Sequence, residues 1–395
     1  MALSEAGDDF YHYWIVPVAV RQLGLRDVYR PAGRAQIGRH FLAAARQFAP
    51  RAERAARENA AMYPEAVLPT ATPFLYAMHG LASTGDYERD YRLFQAASSL
   101  AFVLGMVFLA RVAGLAWPAG FALAGLLLWL YAPLHQDVAA ANTNRLQVGL
   151  LAVALGLLGG LRPMQWTAGG LSLGLAVAYK PNVAPAVLLV LAALGLQRRW
   201  RRCELAVVGL VLGAALAFGV GAWFFGSRHV WATWAWQLPT SASMRAIGLD
   251  DFAVTSLLAP ELGAGRAVQL LTLGFPLALA LSVLARAARA GCTELLLPAA
   301  GAGLALTAMF GPLVWNHYFV LSLPLFVWLL RPAAGTVARA LAALGLALTA
   351  GTPLAWFLRD LQPLPAVAVM QSGLLIGLLL AAVQGASSAR SEPAG

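Results

Sequence analysis

The chain predicts an all-α, polytopic integral membrane protein, and three observations carry that prediction. Hydrophobic residues fill 60% of its 395 positions and charged residues only 12%, where a soluble domain carries about 25% charged residues. Apolar runs approaching the ~20 residues that cross a bilayer recur along most of its length. The basic residues that give a net charge of +10 are scattered through short connecting loops, the pattern that encodes membrane topology and not nucleic-acid binding.

Residues 1–65 are polar and arginine-rich, with an amphipathic stretch around Tyr13–Leu23. They read as a folded loop on the membrane surface. Residues 66–82 are apolar but contain Pro69 and Pro73, and fit either a full span or a helix lying in the interface. Roughly eleven spans follow, at 94–112, 118–135, 144–161, 164–179, 182–197, 204–225, 266–285, 294–311, 317–330, 338–352 and 364–383. The pairs 164–179/182–197 and 294–311/317–330 are split by proline and polar residues; broken helices of this kind line sites in membrane proteins. The tail 386–395, with its Ser, Pro and Gly, is expected to be disordered. The division is therefore an N-terminal segment over 1–83, a helical bundle over 84–385 and the tail.

The densest basic cluster, Arg198-Arg199-Trp200-Arg201-Arg202, belongs on the cytoplasmic side. Counting outward puts 136–143, 180–182, 226–264, 312–317 and 353–362 outside, and 1–65 as well if 66–82 does not cross. The nine arginines against seven acids in 1–65 oppose that placement weakly, because long loops obey the charge rule poorly. No cleavable signal peptide is visible in Met1–Phe10, and an outside N-terminus predicts a further helix ahead of Met1. Cys203 and Cys292 sit in no metal spacing and imply no disulfide framework.

The polar residues that interrupt this apolar chain are the candidates for chemistry. Asp8-Asp9 stand before an aromatic run, Phe10, Tyr11, Tyr13 and Trp14. They read either as a helix cap or as a general base and its neighbour, the aromatics serving sugar stacking or an interfacial belt. Lys180 is the only lysine in the chain and ends an apolar run just before Pro181. It reads as a snorkelling side chain or as an anion clamp at a helix break. Asn142, Asn144 and Gln147 open the span at 144–161, with His135 and Asp137 upstream; they are caps, or a polar wall for sugar hydroxyls. Trp315-Asn316-His317-Tyr318 sits at the second break, where His317 is structural or faces Asp9. In the outer loop Trp231, Trp234 and Trp236 suit an aromatic belt, Arg245 a phosphate contact, and Asp250-Asp251 rival Asp8-Asp9 as base or metal ligand. No P-loop, dinucleotide fingerprint, His/Cys metal spacing or strict Asp-x-Asp is present.

The order of these elements resembles glycosyltransferase family 87, of the GT-C superfamily of polytopic transferases. Gly7-x-Asp9-Phe10-x-x-Tyr13-Trp14, Leu25-x-x-Val28-Tyr29, and Tyr63-Pro64 before Pro73 resemble its first outer loop. Asn142-Thr143-Asn144 is similar to its Gln-x-Asn element, with Asn142 in place of Gln. Ala178-Tyr179-Lys180-Pro181 is similar to its Lys-Pro break, Ser241-Ala242-Ser243-Met244 to a degenerate Asn-Gln-Ser-Leu segment, and Trp315-Asn316-His317-Tyr318 followed by Pro324 to its His-Tyr motif.

The resemblance implies a GT-C-like helical bundle that works without metal or other cofactor. It implies inverting transfer of a hexose, typically mannose, from a polyprenyl-phosphate sugar to a glycolipid or glycan acceptor, at the extracytoplasmic face of the cell membrane. Asp9 carries over as base, and Asp8 beside it would raise the proton affinity of Asp9 through like-charge repulsion. Lys180 and His317, with Arg245, become donor-phosphate contacts, and Asn142, Asn144, Tyr13 and Tyr63 the sugar or acceptor contacts. The rival reading is a transporter or flippase for an anionic lipid or solute, which broken helices and Lys180 also suit.

Overall fold

The computed structural model describes residues 7–62, 70–244, 252–254, 277, 280–281, 284–285, 295–311, 314–351 and 363–387. Among these the chain is helical throughout, with no strand.

The N-terminal segment is built from helices and is no loop: α1 (Asp8–Leu23), α2 (Pro31–Phe48), α3 (Pro50–Met62) and α4 (Pro73–Ala82). Three of these open on proline, whose missing N–H would be unpaired in the first turn anyway. The amphipathic surface helix expected at Tyr13–Leu23 is corrected. α1 begins at Asp8 and is buried through Val20, including Phe10, Tyr11, Trp14, Ile15 and Val16, because α2, α3 and α4 pack around it. The either-or at 66–82 also resolves, since α4 has ten residues, about 15 Å, and does not reach across a bilayer. Thr72 fixes its start: Oγ1 accepts from the Leu75 N–H at 3.0 Å and donates to the Tyr179 carbonyl at 3.1 Å.

Among the described residues, three helices are long and apolar enough to cross a membrane: α5 (Tyr87–Val112), α11 (Trp200–Phe225) and a stretch within α16 (Pro363–Ser387). A fourth span is possible by length if α6 (Trp117–Leu130) and α7 (Ala132–Ala140), bent by 71° against each other, count as one. Between α11 and α16 the chain also forms α12 (His229–Met244), α13 (Leu296–Phe310), α14 (Leu323–Leu329) and α15 (Thr336–Ala350). Among the described residues, the remaining apolar runs fold as shorter helices. Among them α8 (Asn144–Gly159), α9 (Pro163–Tyr179) and α10 (Ala184–Leu196) position the polar residues. The run at 118–135 does not end in a loop over 136–143 as expected. A new helix starts at Ala132, with Pro133 in its first turn, and continues to Ala140.

α9 and α11 form the tightest pair. Gly170 and Gly174 on one face α11, and Gly209 and Gly213 on the other face α9. A β-carbon on Gly170 would overlap the Ala206 carbonyl oxygen, and one on Gly209 that of Thr167. Four-residue spacing of small residues lets two backbones meet in this way. α13 is buried along nearly its whole length in the larger core, while Leu100, Leu104 and Leu212 on the long helices remain exposed.

Candidate functional site

Four chain breaks meet at one place. The first is the start of α1. Gly7 adopts φ 72° there, and a β-carbon on it would press into the Tyr91 ring at 2.5 Å, so glycine is required for both conformation and space. Asp8 and Asp9 occupy the first helical turn, where aligned backbone N–H groups stabilise negative charge. The cap position is Gly7, so neither aspartate is the cap itself. The second break is the turn between α7 and α8, carrying Asn142 and Thr143. The third is Lys180, driven out of helix by Pro181, since a residue before proline avoids the α region; it takes φ −152°, ψ 111° between α9 and a 3-10 turn at Pro181–Val183. The fourth is the 3-10 segment Asn316–Ser322, which carries His317 and Tyr318.

Asn142 joins the first and third breaks. Its Nδ2 donates to Asp9 Oδ2 at 2.6 Å, and its Oδ1 accepts from Lys180 Nζ at 2.8 Å. Lys180 also donates to Asn144 Oδ1 at 3.1 Å and lies 4.7 Å from the centre of the Tyr318 ring, a cation–π distance. Asn144 Nδ2 donates to the His317 carbonyl at 3.1 Å. His317 Nε2 stands 4.0 Å from Asp9 Oδ2, beyond hydrogen-bond reach. Each amide orientation is set by a partner of one polarity: a carboxylate for Asn142, a carbonyl for Asn144, and the Lys180 carbonyl, at 3.2 Å, for Gln147. The snorkelling reading of Lys180 is thereby corrected: its ammonium turns into the protein. So is the capping reading of the two asparagines, because the α8 cap position is Thr143 and it makes no side-chain cap bond.

The Asp9 side chain keeps 36% of its exposure and His317 10%, so the carboxylate is reachable from solvent while its neighbours are enclosed. Tyr13 is buried beside it. Burial first, then the negative charge of Asp9, pushes its phenol well above the usual tyrosine range, so Tyr13 stays a neutral hydroxyl. The rest of the aromatic flank forms neither stacking platform nor belt. Phe10 packs on Tyr91 and Phe94, Tyr11 donates to the Phe41 carbonyl at 2.6 Å, and Trp14 Nε1 donates to Asp90 Oδ2 at 2.9 Å. Chemically, the arrangement sets a proton-accepting carboxylate and an ammonium on either side of one amide, with an imidazole facing the carboxylate.

Sequence reasoning read Asp137 and Gln147 as caps or a polar wall and missed Arg145, Asp90 and Asn182, which with them support this cluster. Arg145 and Asp137 form an ion pair at 2.8 Å with both side chains fully buried. Asp90 anchors α1 through Trp14 and also accepts from Ser83 Oγ and Thr84 Oγ1. Asn182 accepts from Gln147 Nε2 at 2.7 Å. The signal for the ion pair was present, since a charged residue on each flank of Asn142-Thr143-Asn144 in an apolar context needs a partner. Tyr63, Arg245, the Asp250-Asp251 pair, Cys292, most of the run at 266–285 and the last eight residues lie outside the described residues.

No family model, no curated protein and no solved structure matches the chain.

Proposed function

We propose that the protein is a multi-pass membrane glycosyltransferase of the GT-C type, moving a hexose from a polyprenyl-phosphate donor to a hydroxyl acceptor with inversion. The observation that carries this reading is the Asp9–Asn142–Lys180 bridge with His317 beside it. It brings together, from positions far apart in sequence, a base for the acceptor and a cation for the leaving phosphate. The order of motifs similar to glycosyltransferase family 87 supports the same reading. In it, roughly eleven apolar segments lie in the cell membrane, the broken ones partly crossing it, and the cluster opens to the extracytoplasmic side.

The chemistry needs two things. Asp9 accepts the proton of the acceptor hydroxyl as its oxygen attacks the anomeric carbon. The sugar–phosphate C–O bond breaks on the opposite face, and the electron pair stays on a polyprenyl phosphate that is already an anion. Charge stabilisation can then replace acid catalysis. Lys180 has three N–H donors; the two asparagines take two, and one is left for a phosphate oxygen.

The test is Asp9→Asn in proteoliposomes with a labelled polyprenyl-phosphate hexose and mixed glycolipid acceptors. Transfer is expected to fall by about 10²–10⁴-fold, the usual contribution of a general base, with yield and thermal midpoint retained. Full transfer by Asp9→Asn would remove Asp9 as base. Wild-type uptake of labelled solute or lipid with no glycosidic product would overturn the transferase reading in favour of a transporter.

A further inference from the structure

We propose that Arg145 and Asp137 are positioning residues that hold the α7–α8 turn in one strained form and so aim Asn142 at both Asp9 and Lys180. The catalytic part of this inference rests on the transferase reading; the positioning part does not.

The turn is unusual at Ala141, which sits at φ 52°, ψ 48° and is fully buried. Left-handed backbone is disfavoured for a residue with a β-carbon, and it persists only where the surroundings over-determine it. Here they do. The Ala141 N–H donates to the Val138 carbonyl at 3.1 Å and the Asn142 N–H to the Asp137 carbonyl at 3.0 Å. The Arg145 guanidinium then spends its planar fork on three side chains: Nε to Asp137 Oδ2 at 2.8 Å, one terminal nitrogen to Ser99 Oγ and the other to Gln95 Oε1, each at 2.7 Å. Gln95 Nε2 returns to α7 at the Val138 carbonyl, 2.7 Å away, and also donates to Tyr91 Oη at 3.0 Å. One guanidinium thus ties α5, α7 and α8 together around the single turn that presents Asn142.

A buried ion pair is weak support for stability, because desolvation offsets most of its attraction; its best use is to select one geometry. The geometry selected here has a direct reader. Asn142 Oδ1 accepts from the Thr143 N–H at 2.6 Å as well as from Lys180, so its amide plane follows the turn. If the turn relaxes, the amide swings, and Asp9 and Lys180 lose their shared partner together. Tyr91 contributes at both ends: its ring confines Gly7 at the start of α1, and its hydroxyl supports Gln95.

The chain supplies its own probe. Lys180 is its only lysine, so protein labelled with [15Nζ]lysine gives one side-chain ammonium resonance in detergent micelles. Three variants are compared with wild type. In the double variant Asp137→Leu/Arg145→Met, which leaves no unpaired charge behind, the protein is expected to fold while the lysine resonance shifts and broadens. Its kcat is expected to fall about a hundredfold, the scale of a misplacement near 1 Å, with donor KM little changed, because Lys180 keeps Asn144 and the Tyr318 ring. Arg145→Lys keeps the charge but not the fork, and is not expected to restore either readout. Ser99→Ala keeps both charges and removes one arm; a smaller shift in the same direction is expected, and this variant decides the matter if the double variant does not fold. An unchanged lysine resonance in whichever of these two folds overturns the positioning role. Wild-type behaviour of Arg145→Lys would reduce the role of Arg145 to charge alone. If wild-type protein transfers no sugar, the transferase reading fails while the resonance still decides the positioning.

Discussion

Asn142→Leu is the substitution whose cost can be worked through most fully. The side chains are nearly isosteric, so no cavity confuses the result. Three hydrogen bonds are lost: to Asp9 at 2.6 Å, from Lys180 at 2.8 Å and from the Thr143 N–H at 2.6 Å. Bonds to charged groups contribute about 1.5–3 kcal/mol each, but the two charged partners recover differently. Asp9 is 36% exposed and regains water, so its share is discounted for solvent screening. Lys180 retains Asn144 and the Tyr318 ring. The buried Thr143 N–H is left with nothing, at about 1–3 kcal/mol, and the added apolar burial returns about 1 kcal/mol. The expected net loss is about 2–4 kcal/mol, read as a thermal midpoint several degrees lower by fluorescence-detected gel filtration in mild detergent. Asn142→Asp separates the partners: it keeps an acceptor for Lys180 and Thr143 but places a second carboxylate against Asp9. It is expected to be the more stable of the two variants, and both are expected to lose transfer. A midpoint for Asn142→Leu equal to wild type would refute the bridge.

Two other perturbations test the surroundings of the site. Gly209→Val drives a side chain into the Thr167 carbonyl across the α9–α11 contact. It is expected to cost at least the ~1–3 kcal/mol of core overpacking, whereas Gly219→Val on the same helix meets nothing within 4 Å and is expected to be neutral; equal thermal midpoints for the two would contradict the close packing. The second perturbation is alkaline pH. Burial holds the phenols of Tyr11, Tyr13 and Tyr29 above the ordinary tyrosine value, so the folded state keeps protons that the unfolded state releases. The stability they contribute is complete below about pH 10 and is lost as pH rises toward the folded-state values. Unfolding is therefore expected to set in above pH 10 and to coincide with tyrosinate absorbance; tyrosinate appearing well before unfolding would show these phenols to be accessible.

The convergence of Asp9, Asn142, Asn144, Lys180 and His317 was legible in the sequence because polar groups in apolar surroundings are costly and therefore informative. The breaks at Lys180-Pro181 and before His317 were legible because proline dictates the conformation preceding it. Helix lengths were less legible. Hydropathy registers that residues 118–135 are apolar, but not that a second helix begins there at Ala132-Pro133, bent by 71°. The burial of α1 was missed for a related reason. Aromatic and aliphatic residues dominate it from Phe10 to Val20, and such a helix can be covered by lipid or by protein; α2 and α3, rich in arginine, gave no sign that they would provide the cover. The Arg145–Asp137 pair was less legible because its members lie eight residues apart across a helix break that the apolar pattern does not reveal.

Ending α9 at Lys180 leaves it 17 residues, about 25 Å, short of a hydrocarbon layer about 30 Å thick. Its locked partner α11 has 26 residues, about 39 Å by the same rise. Under the proposed function both helices lie in the membrane; one would then be too short and the other too long for the same bilayer, and their close glycine contact would oppose sliding. A short helix draws the surrounding lipid thinner. At the Lys180 end that would pull the headgroup plane inward, toward the ammonium. On that reading, chain length of the host lipid would set how far a membrane-borne phosphate must descend, and thick bilayers would lengthen that descent.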